Sequence, residues 1–418
     1  MGLEREQRGR ETLRRGGRRG VAAGWLCALL TVSPGQAWGD RAQDVPGVSL
    51  VGVGESAGAP DDVAVAQLGT SAYAYGAHDA SVVYPSGGDR ALAFGAAIVP
   101  GLLIHGSGSY VLGREDTAVR LLILEGVGLA LLAAGGSVIA ATGAARDFVG
   151  PAAAVTMMGA GLFTSSALAD MYSVLAPTGG LGVDPGWTPR LQAELGYRYV
   201  YDPQFDYRHF VVNRLHGRLA NWRLSPSLWS SPGDANQRFR VELAYRFFGP
   251  LPGSARTDGN FLEAEVAMTN HRFPRDEFQL TTFESSLRAR WDLATYDPFL
   301  AGAFLDFEVG AATQVHDFGP GAHGSKSFTL LLGGFGFGMY LGDQRSEGGY
   351  VRAYYDHRHD DFAAGLLLPG LISGTLGHLG LDALYYFTEH LGARAEAQVG
   401  SATVVGLSGV FRFGGRGP

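Results

Sequence analysis

Gln237 to Phe248 read Q-R-F-R-V-E-L-A-Y-R-F-F. Phe239, Val241, Leu243, Tyr245 and Phe247 take every second position, and Arg238, Arg240, Glu242 and Arg246 fill the gaps. Successive side chains of a strand point to opposite faces, so this stretch has one apolar and one charged face. The same alternation recurs from about Pro189 to the C-terminus. Repeated strands of this kind, with aromatics near their ends, are what a membrane-spanning β-barrel needs.

Outward from that stretch, candidate strands fall at 190–201, 209–224, 237–248, 261–271, 279–294, 299–315, 327–341, 350–357, 376–388, 391–399 and 402–413. Outer-membrane barrels have short periplasmic turns and longer outside loops. Tyr296-Asp297-Pro298 and Thr388-Glu389-His390 are tight, whereas Asn270 to Phe278, Phe318 to Ser327 and Arg358 to Thr375 are longer. They alternate as a chain ending in the periplasm requires. Counting back then makes 190–201 a descending strand, with one ascending strand missing before it, from 63–75 or 180–186. The expectation is an all-β transmembrane antiparallel barrel of about 12 strands over 187–418. Ten is the alternative, because 350–357 is short and 209–224 changes phase.

The N-terminus reads as an export signal over residues 1–39. A basic head (Arg5, Arg8, Arg10, Arg14, Arg15, Arg18, Arg19) precedes a short apolar core, Val21 to Val32, and Ala37-Trp38-Gly39 offers a cleavage site. The sole cysteine, Cys27, lies in that core and would leave with it. The removed segment carries +4, so the formal charge of −7 becomes −11 in the mature chain. An acidic chain of this kind excludes a basic nucleic-acid binder and fits an envelope protein. Residues 40–85 form a Gly/Ala-rich lead-in.

Residues 86–176 make a hydrophobic helical domain. Arg90 to Ile104 is apolar and carries Pro100-Gly101. Ala118 to Thr142 and Ala152 to Leu175 are apolar runs long enough to cross a hydrocarbon core as helices. Ala145-Arg146-Asp147 and Gly150-Pro151 punctuate the turn between them. Gly126, Ala130 and Ala134 fall at four-residue spacing, and small residues so spaced let helices approach closely. The expectation is an antiparallel hairpin packed through those three residues, lying against the barrel's periplasmic end or within its mouth. Glu125 and Asp170 interrupt the runs, and acids in lipid are expensive, so each should face the interface or water. They also lower the hydrophobicity that would otherwise stop the chain in the inner membrane.

Pro100-Gly101, Gly106, Tyr110 and Gly113-Arg114 resemble a helical-hairpin membrane domain in which a Pro-Gly helix end, a Gly-x-x-Tyr loop and a Gly-Arg pair precede an apolar helix. The resemblance covers about a fifth of the chain and implies membrane association. The second half of the chain resembles the bacterial outer-membrane β-barrel class through its alternating pattern, with no named family assigned.

The inward face of the expected barrel carries Arg198, Arg238, Arg240, Arg246, Arg288, Arg290, Arg352, Arg394 and Arg412 among acids that include Glu242, Glu263, Glu265, Glu284, Asp292, Asp306 and Glu308. Charges of both signs in a modest lumen read as a salt-bridge network that fills it. A single-sign lining would have argued for an ion-selective pore. His357, His359 and Asp361 share a strand face on which a divalent metal is conceivable, but the spacing is not specific to one, and the run reads as a solvated outside loop. A barrel esterase or protease would need a nucleophile beside a histidine, for which His105-Gly106-Ser107 and His323-Gly324-Ser325 are the nearest pairs; both read as turns. No cofactor is expected. The readings left open are a passive porin-like barrel, narrow channel or structural; an envelope interaction protein whose barrel anchors a partner-binding hairpin; and, third, a barrel hydrolase. Expected partners are outer-membrane lipid, the barrel-insertion machinery and an envelope protein.

Overall fold

The computed structural model describes residues 86–176, 188–203, 206–252, 259–317, 325–342, 347–358 and 377–414. The expected signal, the lead-in and the strand sought at 63–75 or 180–186 lie outside these residues.

Twelve strands among the described residues close an antiparallel barrel in which each strand pairs with its sequence neighbours and β1 pairs with β12. They are β1 Leu191–Tyr201, β2 His209–Leu219, β3 Trp222–Ser230, β4 Gln237–Phe248, β5 Phe261–Phe273, β6 Phe278–Asp292, β7 Ala303–Asp317, β8 Ser325–Leu341, β9 Gly348–Asp356, β10 His378–Tyr386, β11 Leu391–Val399 and β12 Thr403–Phe413. Leu191 opposite Phe413 and Tyr201 opposite Thr403 bound the closing seam. The barrel thus has a near rim, where β1 begins and β12 ends, and a far rim.

The twelfth strand is not ahead of 190. It begins at the end of the stretch read as one strand at 209–224 and runs on to Ser230: β2 and β3 are joined by a tight turn at Ala220-Asn221. In β2 the even positions, Phe210, Val212 and Arg218, are buried; in β3 the odd ones, Ser225, Ser227 and Trp229, are buried. The phase change is a hairpin. Ala220 takes a positive φ of 48°, and the Asn221 side chain donates to the Arg246 carbonyl at 2.6 Å, which fixes the turn. β1 therefore starts at the same rim at which β12 ends, and runs opposite to the direction expected of 190–201.

The wall is polar inside and apolar outside. On β4, Arg238, Arg240 and Arg246 are buried while Phe239, Leu243 and Phe247 are exposed. The barrel is also uneven in height. β5 to β8 run 13 to 17 residues and β9 to β11 run nine each.

Four helices among the described residues precede the barrel: α1 Gly87–Ile98, α2 Ser107–Val111, α3 Glu115–Thr142 and α4 Arg146–Leu175. Ser86 caps α1 through a capping box with Asp89. α3 and α4 form the expected antiparallel hairpin, but its turn is Gly143 to Ala145, with Gly143 and Ala144 at positive φ. Gly150-Pro151 lies inside α4, where proline's fixed φ suits the helix and its missing N–H forfeits one backbone bond.

The hairpin does not pack through Gly126, Ala130 and Ala134. All three are exposed or open to space. The seam uses Gly128, Gly135 and Gly159. A Cβ on Gly128 would stand 2.7 Å from the Phe163 nitrogen, and one on Gly159 would stand 2.4 Å from the Leu132 nitrogen. With Leu121 these α3 positions recur every seven residues, the period that keeps one face on a partner helix. Gly126 and Ala130 each stand two residues from Gly128, about 200° round the helix at 3.6 residues per turn, so their row falls on the face away from the seam.

The hairpin lies along the barrel's outer wall, not at its end or in its mouth. A Cβ on Gly333 of β8 would meet the Met157 side chain at 2.4 Å, so α4 rests on the outward face of β8. At the near rim, Tyr172 donates to the Ala301 carbonyl at 2.6 Å, and Arg120 reaches the Tyr296 carbonyl at 2.5 Å and Asp297 at 3.3 Å. Leu121, Ala169, Tyr172, Leu293, Leu300, Leu305 and Phe337 form one buried cluster that joins helices to wall.

Candidate functional site in the barrel lumen

Alternation along the barrel strands, β1 included, sends guanidinium and carboxylate groups into one space. Arg240 lies against Glu284 in a two-pronged contact at 2.5 and 2.9 Å, and its Nε reaches Glu242 at 2.8 Å. Arg223 bridges Glu265 at 2.7 Å and Glu242 at 3.1 Å. Glu263 takes Arg218 at 2.6 Å and Arg246 at 2.7 Å. Arg290 grips Asp306 at 2.7 and 2.9 Å, and Arg352 meets the same carboxylate at 2.9 Å. Arg288 reaches Glu265 at 3.1 Å and Glu308 at 3.7 Å. Arg394 holds Asp382 at 2.8 Å, and Arg198 pairs with Glu396. Planar forks matched to carboxylates hold geometry more firmly than ammonium groups could.

Of the charges expected inside, Asp292 differs in role. It is buried at the near rim, where it accepts the Ala294 N–H at 3.0 Å and caps a short 3-10 helix, Leu293–Thr295. Arg238 stands over the Trp229 ring at 5.0 Å, with Arg198 over the same ring at 4.1 Å. Arg412 lies 3.5 Å over Tyr386.

The reading from sequence missed Arg214, Arg218 and Arg223, because the hairpin at 220–221 reverses which positions face inward. It missed Arg358 by placing it in an outside loop. Arg358 turns back into the lumen, reaching Glu308 at 2.6 Å and Glu284 at 3.3 Å. Glu194, Asp382 and Glu396 belong to the same network.

The network leaves a cavity of about 270 Å³, lined among others by Arg198, Arg238, Arg240, Glu242, Arg288, Asp306 and Tyr354. Toward the far rim, inward Val200, Phe210, Val212, Trp229 and Val404 pack with Tyr207 and Phe273 into a buried apolar cluster. Toward the near rim, Phe304, Tyr340, Tyr350 and Phe261 gather around Arg290, whose guanidinium lies 3.8 Å over Phe304. The charged middle thus has an apolar cluster beside it on the β1–β3 side of the far rim and an aromatic group toward the near rim.

Glu125 and Asp170 come together in the helical domain. Glu125, 5% exposed, accepts the His105 N–H at 2.9 Å. Asp170 accepts from Gly108 N and Ser109 N at 2.9 Å each and from the Ser109 hydroxyl at 2.7 Å. His105 does not approach the Ser107 hydroxyl, which donates to the Ile104 carbonyl at 2.5 Å; its Nδ1 lies against Ser166 Oγ. His357 Nδ1 meets the Tyr355 hydroxyl at 2.8 Å, while His323, Gly324, His359 and Asp361 lie outside the described residues. Among the described residues no group of three or more His, Cys, Asp or Glu is placed to hold a metal ion.

The closed topology, the apolar outer wall and the charged lumen define the class: a transmembrane β-barrel with the architecture of bacterial outer-membrane barrel proteins. No family model and no curated protein matches the chain. Among solved structures it is similar to the KdgM porin in complex with disordered oligogalacturonate, at 10% identity over 53% of this chain and 99% of that one, TM-score 0.33. It is similar to the outer membrane protein Omp33 of Acinetobacter baumannii, at 9% identity over 55% and 100%, TM-score 0.30. The translocator domain of the autotransporter NalP from Neisseria meningitidis matches at 14% identity over 54% and 89%, TM-score 0.30.

Proposed function

We propose that this chain is an exported outer-membrane protein of a two-membrane envelope, and that its barrel is a structural anchor rather than an open pore. One observation carries the reading: the lumen is crossed by a network in which Glu263, Glu265 and Asp306 each hold two or more arginines. Mixed signs at these distances give no strong single-sign field to select an ion. The paired charges and the aromatic layer below them leave a cavity of about 270 Å³ in the lumen. Conductance of the purified protein in planar bilayers tests this. The expected trace shows no steps, or small and weakly selective ones. Large steps with strong anion or cation preference would mean that the charges do not pair in the membrane.

A second reading has a specific observation in its favour. The hairpin is held to the wall at several points, yet α1 and α2 expose Leu92 and Tyr110. An envelope partner could engage the hairpin while the barrel anchors it. Deleting 86–176 separates the readings: an anchor for a partner should still insert and lose only the partner.

A further inference from the structure

We infer that α3 and α4 cross the same bilayer as the barrel, standing beside β7 and β8, with the hydrocarbon chains of the lipid covering the outer face of α3. The inference rests on the membrane reading of the barrel. It goes beyond that reading by placing a helical hairpin in the plane of an outer-membrane barrel rather than beneath it.

Four observations lead there. First, α4 is sandwiched. One face meets α3 through Gly159, and another meets β8 through Gly161, where a Cβ would lie 2.7 Å from the Phe335 side chain. Phe335 is an outward residue of the barrel wall, opposite Phe307 on β7. The helices therefore begin where the wall's apolar belt would otherwise meet lipid, and α3 takes over as the outermost surface.

Second, that surface is as apolar as the belt it continues. Leu122, Ile123, Val127, Leu129 and Val138 are 41–56% exposed on α3, as outward Phe283 and Val266 are on the barrel. An apolar face of this size on a surface in water would be a liability. In continuity with the belt it has an occupant.

Third, charge is confined to the ends. From Leu121 to Ala145 the sequence holds one ionisable residue, Glu125, and that carboxylate is buried and accepts the His105 N–H. Glu115, Asp116 and Arg120 lie at the near-rim end, where Thr117 and Arg120 bond Asp297 of the barrel turn.

Fourth, the lengths match. α3 has 28 residues. At about 1.5 Å per residue it rises about 42 Å, more than the roughly 25 Å apolar band of an outer-membrane barrel. α4 starts from the far end and returns to Tyr172, which bonds Ala301 at the near rim. Both helices are long and apolar enough to cross a membrane.

The test uses the full-length protein with Cys27→Ser, carrying single cysteines at Val119→Cys, Val127→Cys or Val138→Cys and an environment-sensitive fluorophore. Val266→Cys on the barrel belt is the reference. The proteins are refolded into phosphatidylcholine vesicles whose lipids bear bromine at shallow or deep acyl positions, and heat-dependent gel mobility confirms the barrel. The Val127 label should lose about two-fold or more of its intensity to deep bromines, as a group in the hydrocarbon core does, with the two flanking labels quenched better by shallow ones. If the Val127 label answers to aqueous iodide and not to bromolipid while the Val266 label answers to bromolipid, the hairpin lies outside the bilayer and the inference fails with the barrel reading intact. If neither label answers to bromolipid, the membrane reading fails as well.

Discussion

Gly161 of α4 stands directly over Phe335 of β8, so near that a Cβ there would lie 2.7 Å from both Cβ and Cγ of the phenylalanine. Gly333, two residues along the same strand face, makes the reciprocal notch for Met157. Helix and sheet thus meet through glycines on each side, which lets the α4 backbone approach the wall. Gly161→Val should push α4 off β8. Overpacking of a close seam costs about 1–3 kcal/mol. A cysteine pair across Met157 and Gly333 should crosslink in the parent and lose yield in the variant. Unchanged yield would mean that the hairpin's hold comes from the near-rim hydrogen bonds alone.

The seam within the hairpin gives a paired prediction. Gly128 is closed in by the Phe163 nitrogen at 2.7 Å and the Gly159 carbonyl at 3.0 Å from its virtual Cβ, whereas Ala130 is exposed. Gly128→Leu should separate the helices, at a cost of about 3 kcal/mol or more, since the obstruction is backbone and cannot rotate away. Ala130→Leu should be tolerated. Crosslinking between cysteines on α3 and α4 reads both. Loss of crosslinking in Ala130→Leu with retention in Gly128→Leu would restore the four-residue face as the true seam.

That reversal shows where the sequence was legible. The barrel could be read because alternation has a period of two, and each strand repeats the same signal: Phe239, Leu243 and Phe247 out, Arg238, Arg240 and Arg246 in. The signal fails only where the chain reverses without a loop. Ala220-Asn221 offers neither Gly nor Pro, so the β2–β3 hairpin showed only as a phase change, and Arg214, Arg218 and Arg223 lost their place in the lumen with it. The helices are apolar almost all round, so pattern cannot say which face meets a partner. Two small-residue spacings compete on α3, and only the positions of Gly159 and Phe163 decide between them. The docking of α4 on β8 joins residues more than 170 positions apart, with no local signature beyond glycines already numerous in the chain.

The lumen network predicts a large effect from a small change. Glu265, buried, sits within 3.7 Å of Arg223, Arg240 and Arg288. Glu265→Gln leaves those guanidinium groups short of a counter-charge in an enclosed space, and breaking a buried ion pair from one side costs about 3–5 kcal/mol. Urea unfolding of the folded barrel in detergent should show the loss. Asp206→Asn removes the partner of Arg208 in an exposed loop, and the same experiment should show no measurable change. Equal, small effects at both sites would mean that water screens the lumen and that the barrel is open to solvent.

Glu125 is a position where the fold and the proposed export route both favour an acid. In the folded protein it is buried and accepts the His105 N–H at 2.9 Å, so it has a structural partner. On the proposed export route it would meet the first membrane without that partner, in a helix otherwise long and apolar enough to cross one. An acid at the centre of a crossing helix disfavours insertion by about 2.5–3.5 kcal/mol, while leucine favours it by about 0.5 kcal/mol. Glu125→Leu should therefore divert part of the protein to the inner membrane, and Glu125→Gln, polar but uncharged, should divert less. Density-gradient fractionation with markers for both membranes measures the split. The fraction reaching the outer membrane should carry a loosened α1–α2 segment, because the His105 N–H has lost its acceptor; protease cleavage between 99 and 106 reports this. If Glu125→Leu fractionates wholly with the outer membrane and only the cleavage changes, the acid serves the fold alone, and the chain's passage through the first membrane depends on something other than the polarity of α3.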